Sequence, residues 1–339
     1  MSKLKAFIEG IPKCELHVHI EGTLEPEMKL ELAKRNKIAL PYKNEKALKA
    51  AYDFDDLPSF LGVYYEGMSV LLAERDFFDI TYAYLKKARS QNVRYTEMFF
   101  DPQAHTARGV AFDMVIRGIR RAQIQAQKSL GIHSQLIMCF LRDWSAEFAM
   151  TTLLQSLPYK EWIVGVGLDS DEKNNPPVKF AKVFRRAREE GYLLTMHCDV
   201  DQQNSVTHIW QTIREIGVDR IDHGVNSLED DKLCAEIRRR SLALTVCPIS
   251  NAYVTSGSKS EAIKAMLDKG IRVTVNSDDP AYFPGYMNEN LLRVQKEVGL
   301  SKAELAKLAE NAFSSAWLPP ARAEAYLAEL RSYAGWEPV

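Results

Sequence analysis

The sequence predicts an α/β protein, a (β/α)8 TIM barrel with a helical insertion after strand 1 and C-terminal helices. Three observations predict it. Eight short apolar runs rich in β-branched residues recur along the chain, helical patterns separate them, and most runs are continuously apolar rather than alternating. Continuous apolar runs suit parallel strands buried on both faces. Strands alternating with helices imply βαβ units. Eight units in roughly 260 residues match a closed barrel better than an open sheet.

The runs are Cys14–His19, Arg94–Phe100, Ser134–Leu141, Trp162–Leu168, Tyr192–Cys198, Arg220–Val225, Leu242–Pro248 and Ile271–Asn276. Between the first two, residues 25–92 carry helical patterns at Glu25–Arg35, Asn44–Ala51, Leu57–Leu71 and Phe77–Ser90. That is too much chain for one crossover, so it reads as an insertion placed over the barrel mouth. Ala111–Leu130 is a long amphipathic stretch, and Pro177–Glu190, Ser205–Ile216, Leu228–Arg239 and Ser260–Lys269 are helical crossovers. The tail from Ser301 is helical and opens on Ser301-Lys302-Ala303-Glu304, an N-cap signal. No linker or repeat interrupts residues 1–339, which read as one domain.

The formal net charge of −1 argues against nucleic acid or an anionic membrane as the main partner. No apolar signal core follows Met1, and no run approaches eighteen apolar residues, so a cytoplasmic protein is expected. The five cysteines are dispersed without a CxxC pair and read as free, mostly buried thiols.

In such barrels the chemistry sits at the carboxyl ends of the strands. His17 and His19 end the first strand, His197 the fifth and Asp278 the eighth, while His223 lies in the sixth. A His-x-His pair, a lone histidine and a late aspartate form the ligand set of one metal: His17, His19, His197 and Asp278. Any one of these at a strand end is ordinary; four together are not, because burying unpaired ionisable groups costs several kcal/mol. Neutral imidazoles with one carboxylate suit Zn²⁺, one per chain, with Fe²⁺ and Mn²⁺ as alternatives. Such a site lowers the pKa of a bound water from about 15.7 toward about 7. His223 is placed to orient that water, and Asp279 to accept a hydrogen bond from a substrate ring nitrogen.

These residues resemble the adenosine/adenine deaminase family of the amidohydrolase superfamily. The resemblance spans nearly the whole chain, through His17-Val18-His19-Ile20-Glu21-Gly22-Thr23, Phe100-Asp101-Pro102-Gln103, Gly167-Leu168-Asp169-Ser170, Asp222-His223-Gly224-Val225, Thr245-Val246-Cys247-Pro248-Ile249-Ser250-Asn251 and the Asn276-to-Pro280 turn. It is closest to the bacterial and fungal adenine deaminase branch. Glu21 stands where adenosine-specific members usually carry Asp, which implies a free or substituted base rather than a nucleoside. The resemblance implies attack of a metal-bound hydroxide on C6 of a purine, with Asp279 holding a ring nitrogen. Glu21, Asp169 and Ser170 join Asp279 as expected substrate-binding residues, with Phe54 stacking on the planar ring. Phe60, Phe99 and Phe100 are further stacking candidates, and His105, His133 and His208 read as surface or packing residues. A small heterocyclic substrate is the expected partner; monomer and homodimer both fit.

One motif departs. Family members carry His-Ala-Gly-Glu after the fifth strand, and the Glu delivers a proton to the ring. Here the stretch is His197-Cys198-Asp199-Val200-Asp201, which puts Val200 in the Glu position. Valine transfers no proton. Asp199 and Asp201 are the candidate replacements, with Asp201 preferred if a bulge swings it inward. The departure leaves alternatives to purine deamination: a hydrolase of a cyclic amide or substituted amine on the same metal site, or a non-catalytic metal-binding homologue.

Overall fold

The computed structural model describes residues 3–198 and 200–336. Its strands are β1 (Lys13–His19), β2 (Val93–Phe100), β3 (His133–Leu141), β4 (Ile163–Asp169), β5 (Leu193–Leu194), β6 (His197–Cys198), β7 (Ile221–His223), β8 (Ala243–Val246) and β9 (Arg272–Val275). All pairings are parallel and sequential, β1 to β5 in one arc and β6 to β9 in the other. The fifth run is thus split into β5 and β6. One barrel strand results all the same, because the hydrogen bonds pass through the break. Thr195 N donates to Val166 O at 3.0 Å, and Asp222 N to Met196 O at 2.9 Å. At the other seam, a parallel bridge pairs Val18 with Asp278. His19 N donates to Asp278 O and Asp278 N to His17 O. The ring of eight strand positions closes there, at the residues expected to carry the chemistry.

The strands are shorter than the sequence runs where chemistry intervenes. Pro248 opens a helix, Pro248–Val254, and so ends the seventh run at Val246. Pro177–Glu190 is a 3₁₀ turn followed by the α-helix Ala181–Glu189. Ser205–Ile216 begins as an α-helix and ends in one π turn, Thr212–Ile216. The capping signal at Ser301 is realised. Ser301 Oγ accepts from Glu304 N at 3.2 Å, and Glu304 Oε2 accepts from Ser301 N at 2.8 Å, starting the helix Lys302–Ser315. All five cysteines are buried free thiols. No helix among the described residues is long and apolar enough to cross a membrane.

Two apolar bodies are separate. The larger packs the barrel against its ring of helices. The smaller joins Phe54, Phe60, Tyr64 and Met68, all between β1 and β2, to Leu141 at the end of β3, Ile249 in the helix Pro248–Val254, and Tyr282 and Phe283 after β9. The helix Leu57–Gly67 is thereby seated over the mouth. Its start is fixed by Asp56, whose side chain accepts from Ser59 N at 2.9 Å, with Pro58 in the first turn.

The barrel interior carries a buried polar stack. Arg220 is fully buried and its guanidinium bonds Glu97. It lies 4.3 Å over the Trp317 ring, which closes the far end. Its Nε is 3.7 Å from Asp222 Oδ1. A buried ion pair contributes little beyond well-packed apolar groups, but breaking it strands a charge. Arg220→Met is therefore expected to destabilise the fold by about 3–5 kcal/mol through unpaired Glu97. A lowered urea midpoint with unchanged m-value is the checking measurement.

Candidate active site

Each candidate side chain comes from the carboxyl end of a barrel strand. His17 and His19 are two apart on β1 and so share a face. His197 opens β6, His223 ends β7, and Asp278 lies three residues past β9. The backbone is left-handed at His223 (φ 56°), Asp278 (φ 65°) and Ser170 (φ 72°). That conformation costs an L-residue roughly 1–2 kcal/mol. It ends the extended chain at once, and surrounding contacts must hold it. All three residues line the same cavity.

Four atoms converge at the floor of that cavity. His17 Nε2 is 3.0 Å from Asp278 Oδ1 and 3.1 Å from His197 Nε2. His19 Nε2 is 3.1 Å from His197 Nε2 and 3.4 Å from Asp278 Oδ1. Bonds of about 2.0–2.1 Å to a tetrahedral Zn²⁺ place neighbouring donors about 3.3 Å apart. These four distances lie near the spacing of neighbouring donors on a shared cation. His223 Nε2 stands 4.0 Å from the other oxygen, Asp278 Oδ2. Among the described residues His223 also falls within ligand reach of His17, His197 and Asp278.

Protonation states agree with that geometry. Burial lowers His19 and His223 to about 4, and holds His197 well below the usual histidine range. Burial alone would favour neutral Asp278, but the neighbouring histidines outweigh it and hold the acid well below the carboxylate range. Neutral imidazoles at His19 and His197 and an ionised Asp278 leave lone pairs available to a cation.

A second layer orients the rings. His17 Nδ1 is 2.8 Å from Thr245 Oγ1, and Thr245 donates to Asp222 Oδ1 at 2.9 Å. Thr195 donates to Asp222 Oδ2 at 2.6 Å. Asp222 thereby lies 3.8 Å from His17 Nδ1 and 3.7 Å from His197 Nδ1. Arg142 fixes the backbone, donating to His197 O at 2.7 Å. Phe99 packs its ring within 5.2 Å of His17, His19 and His197.

A concave cavity opens above this floor, lined by both apolar and polar side chains, as small-molecule sites usually are. Phe60, Tyr64 and Tyr65 descend into it from the helix Leu57–Gly67. Asp101, Asp169, Ser170 and Asp279 line the cavity with polar groups, and Val200 and Gln202 of the rebuilt loop line it too. Burial raises Asp169 to about 7. Burial raises Asp101 and Asp279 well above the carboxylate range, reinforced by Asp169 and Asp278 respectively.

Of the sequence-predicted residues, His19, His197, His223, Asp278, Asp279, Asp169 and Ser170 line this cavity, with His17 buried directly beneath. Three expectations need correction. Asp201 is turned away: its Oδ2 pairs with Lys259 Nζ at 2.6 Å and accepts from Ser256 Oγ at 3.1 Å, and its side chain is 40% exposed. Its left-handed backbone (φ 58°) and the bond from its N to Asn226 Oδ1 at 2.9 Å aim it outward. Glu21 stands behind the wall, where Oε1 accepts from Asp101 N at 3.1 Å and meets His105 Nε2 at 2.8 Å. Phe54 lies a layer further out, against Phe60 and Phe283. Asp199, the other candidate proton donor, lies outside the described residues. His105 and His208 are buried partners of Glu21 and Glu172, not surface groups. Sequence reasoning assigned no role to Asp101, Asp222, Tyr64, Tyr65 or Asn251. Asp101 and Asp222 stood inside recognised motifs; the tyrosines carried no signal beyond an amphipathic helix.

A parallel barrel with imidazoles and a carboxylate gathered at its carboxyl-end mouth has the layout of amidohydrolase-type hydrolases. The chain belongs to the adenosine deaminase family, whose profile matches residues 12–333. It is 52% identical to an uncharacterized deaminase of Schizosaccharomyces pombe, over 98% of this chain and 99% of that one. It is 49% identical to an adenine deaminase of Chlorobium phaeobacteroides, over 97% and 98% of the two chains. The crystal structure of adenine deaminase from Arthrobacter aurescens superposes with a TM-score of 0.93 at 40% identity, covering 96% of this chain and 100% of that chain. A zinc-bound amidohydrolase from Burkholderia ambifaria shares the fold, with a TM-score of 0.89 at 24% identity over 99% and 95% of the chains.

Two outcomes follow from the geometry. A Cβ on Gly22 would stand 2.7 Å from Asp279 Cα, so Gly22→Ala must displace the Asp279 loop. Turnover is expected to fall at least about 100-fold, because small misplacements near reacting atoms cost that much, while far-ultraviolet circular dichroism stays unchanged. Asp201→Ala, in contrast, is expected to keep steady-state turnover within about threefold, since it removes an exposed ion pair outside the cavity.

Proposed function

We propose that this chain is a metal-dependent aminohydrolase that deaminates adenine or a closely related purine base. The observation that carries the reading is the convergence of His17, His19, His197 and Asp278 beneath a cavity roofed by Phe60, Tyr64 and Tyr65. Relatives named adenine deaminase at nearly half identity support the same class of substrate.

His17, His19 and His197, each through Nε2, and Asp278 through Oδ1 would hold the metal, and Zn²⁺ fits this donor set. When bound, such a metal supplies Lewis-acid charge and makes water nucleophilic near neutral pH. Asp222 holds the rings of His17 and His197 through its field and its threonine partners. This outer layer sets ligand orientation. His223, at the cavity wall beside Asp278 Oδ2, orients the attacking water and takes up its proton. Asp279 hydrogen-bonds a purine ring nitrogen, and Ser170 and Asp169 complete that side of the pocket. Phe60, Tyr64 and Tyr65 cover the base and exclude bulk water, which strengthens each electrostatic contact. Val200 adds apolar wall and no proton. The proton that reaches the ring therefore comes from the ionisable groups around it. Asp201 is excluded from that role by its pairing with Lys259.

The test is ammonia release from adenine by protein whose bound metal has been quantified. Turnover is expected with about one equivalent of Zn²⁺, to vanish on chelation and to return on adding the metal back. Silence on adenine and on close purine relatives, with the metal measured in place, would sink the reading.

A further inference from the structure

We propose that Asp101 selects a free purine base by accepting the ring N–H that a nucleoside lacks. This rests on the deaminase reading above and assigns a specificity-determining residue within it.

Asp101 directly follows β2, is 1% exposed and forms part of the cavity wall. Its Oδ1 has no hydrogen-bond partner among the described residues. Buried polar atoms are normally paired, so an orphan facing a ligand cavity points to a ligand donor. The backbone that carries the side chain is held in place. Its backbone N–H donates to Glu21 Oε1 at 3.1 Å, and Glu21 is held by His105 Nε2 at 2.8 Å. Arg108 in turn donates to His105 Nδ1 at 2.9 Å. Immediately after Asp101, Pro102 starts a short helix, and Gln103 Oε1 ties it to Leu141 N at 2.9 Å. The chain is thus held on both sides of Asp101, and its Oδ1 is left without a partner among the described residues.

The neighbouring acids Asp169 and Asp279 also carry oxygens without a hydrogen-bond partner among the described residues, and their positions differ. Asp169 Oδ2 faces His19 Nδ1 at 3.5 Å. Asp279 adjoins the ligand Asp278 and lies on the wall contributed by the loop after β9. A free purine offers acceptor ring nitrogens and one imidazole-ring N–H. Asp279 is assigned to an acceptor nitrogen, and Asp101 is left facing the N–H. In a nucleoside that nitrogen carries the sugar, so the donor disappears and bulk meets a clamped wall. A site built to bond a donor rejects the analogue lacking it far more strongly than an apolar pocket does, because its own acceptor is left unpaired.

The discriminating pair is adenine and 9-methyladenine, measured on the full chain by ammonia release and by calorimetric binding. Wild type is expected to prefer adenine by at least about 100-fold. Asp101→Asn, equal in volume, is expected to narrow the preference about tenfold, because the carboxamide can turn its NH₂, a donor, toward the ring N–H. Asp101→Ala is expected to abolish it, with the loss falling on adenine and not on 9-methyladenine. An unchanged preference, or an equal fall on both bases, would show that Asp101 only supports the wall and would overturn the proposal. If Asp101→Ala does not fold, the Asn variant carries the test alone. Wild type that binds adenine selectively yet releases no ammonia would fail the deaminase reading while leaving the binding comparison to judge Asp101. Wild type that binds both bases equally, or neither, would overturn the assignment.

Discussion

Three imidazole nitrogens and a carboxylate oxygen crowd a buried floor, each 3.0–3.4 Å from two of the others, and the rest of the molecule is arranged around that crowding. Lone pairs brought so close repel unless a cation or protons intervene. The scaffold must therefore hold the four groups rigidly before anything binds. It does so by drawing them from strands that are hydrogen-bonded to one another. The closing seam of the barrel, where His17 and His19 exchange backbone bonds with Asp278, is itself part of the site. Barrel closure and ligand geometry are one constraint.

Beneath the floor, charge is arranged in depth. Glu97, Arg220 and Asp222 form a buried stack that rises from the Trp317 end toward the backs of the His17 and His197 rings. Such groups are costly to bury, and their return is orientation rather than stability. Threonines 195 and 245 satisfy both oxygens of Asp222 and leave its field to act on the rings. Above the floor, the helix Leu57–Gly67 and its aromatic cluster make the roof, so chain between β1 and β2 determines the shape of the cavity.

Much of this was legible in the sequence because it depends on local spacing. Alternation places His17 and His19 on one face, and apolar continuity marks buried parallel strands. Asp278 and Asp279 stand directly after the last run, so both fall at the mouth. The illegible parts depend on partners far along the chain. Asp201 has the right position to replace a missing glutamate, yet Lys259, 58 residues on, holds it outward. Glu21 has the right motif, yet His105, 84 residues on, takes its oxygen. Phe54 has the right chemistry, yet Phe60 and Phe283 stand between it and the cavity.

The sequence by itself determined the barrel, the donor set at its mouth and the family to which the chain belongs. These follow from periodicity and from residue types that have few other uses at strand ends. Only the tertiary structure decided which carboxylates reach the cavity, since direction depends on backbone angles and on competing cations. It placed Asp101 and Asp169 in the wall, Asp222 behind the rings, and Asp201 and Glu21 outside. The physical reason is that a buried carboxylate is defined by its partners, and those partners come from other strands.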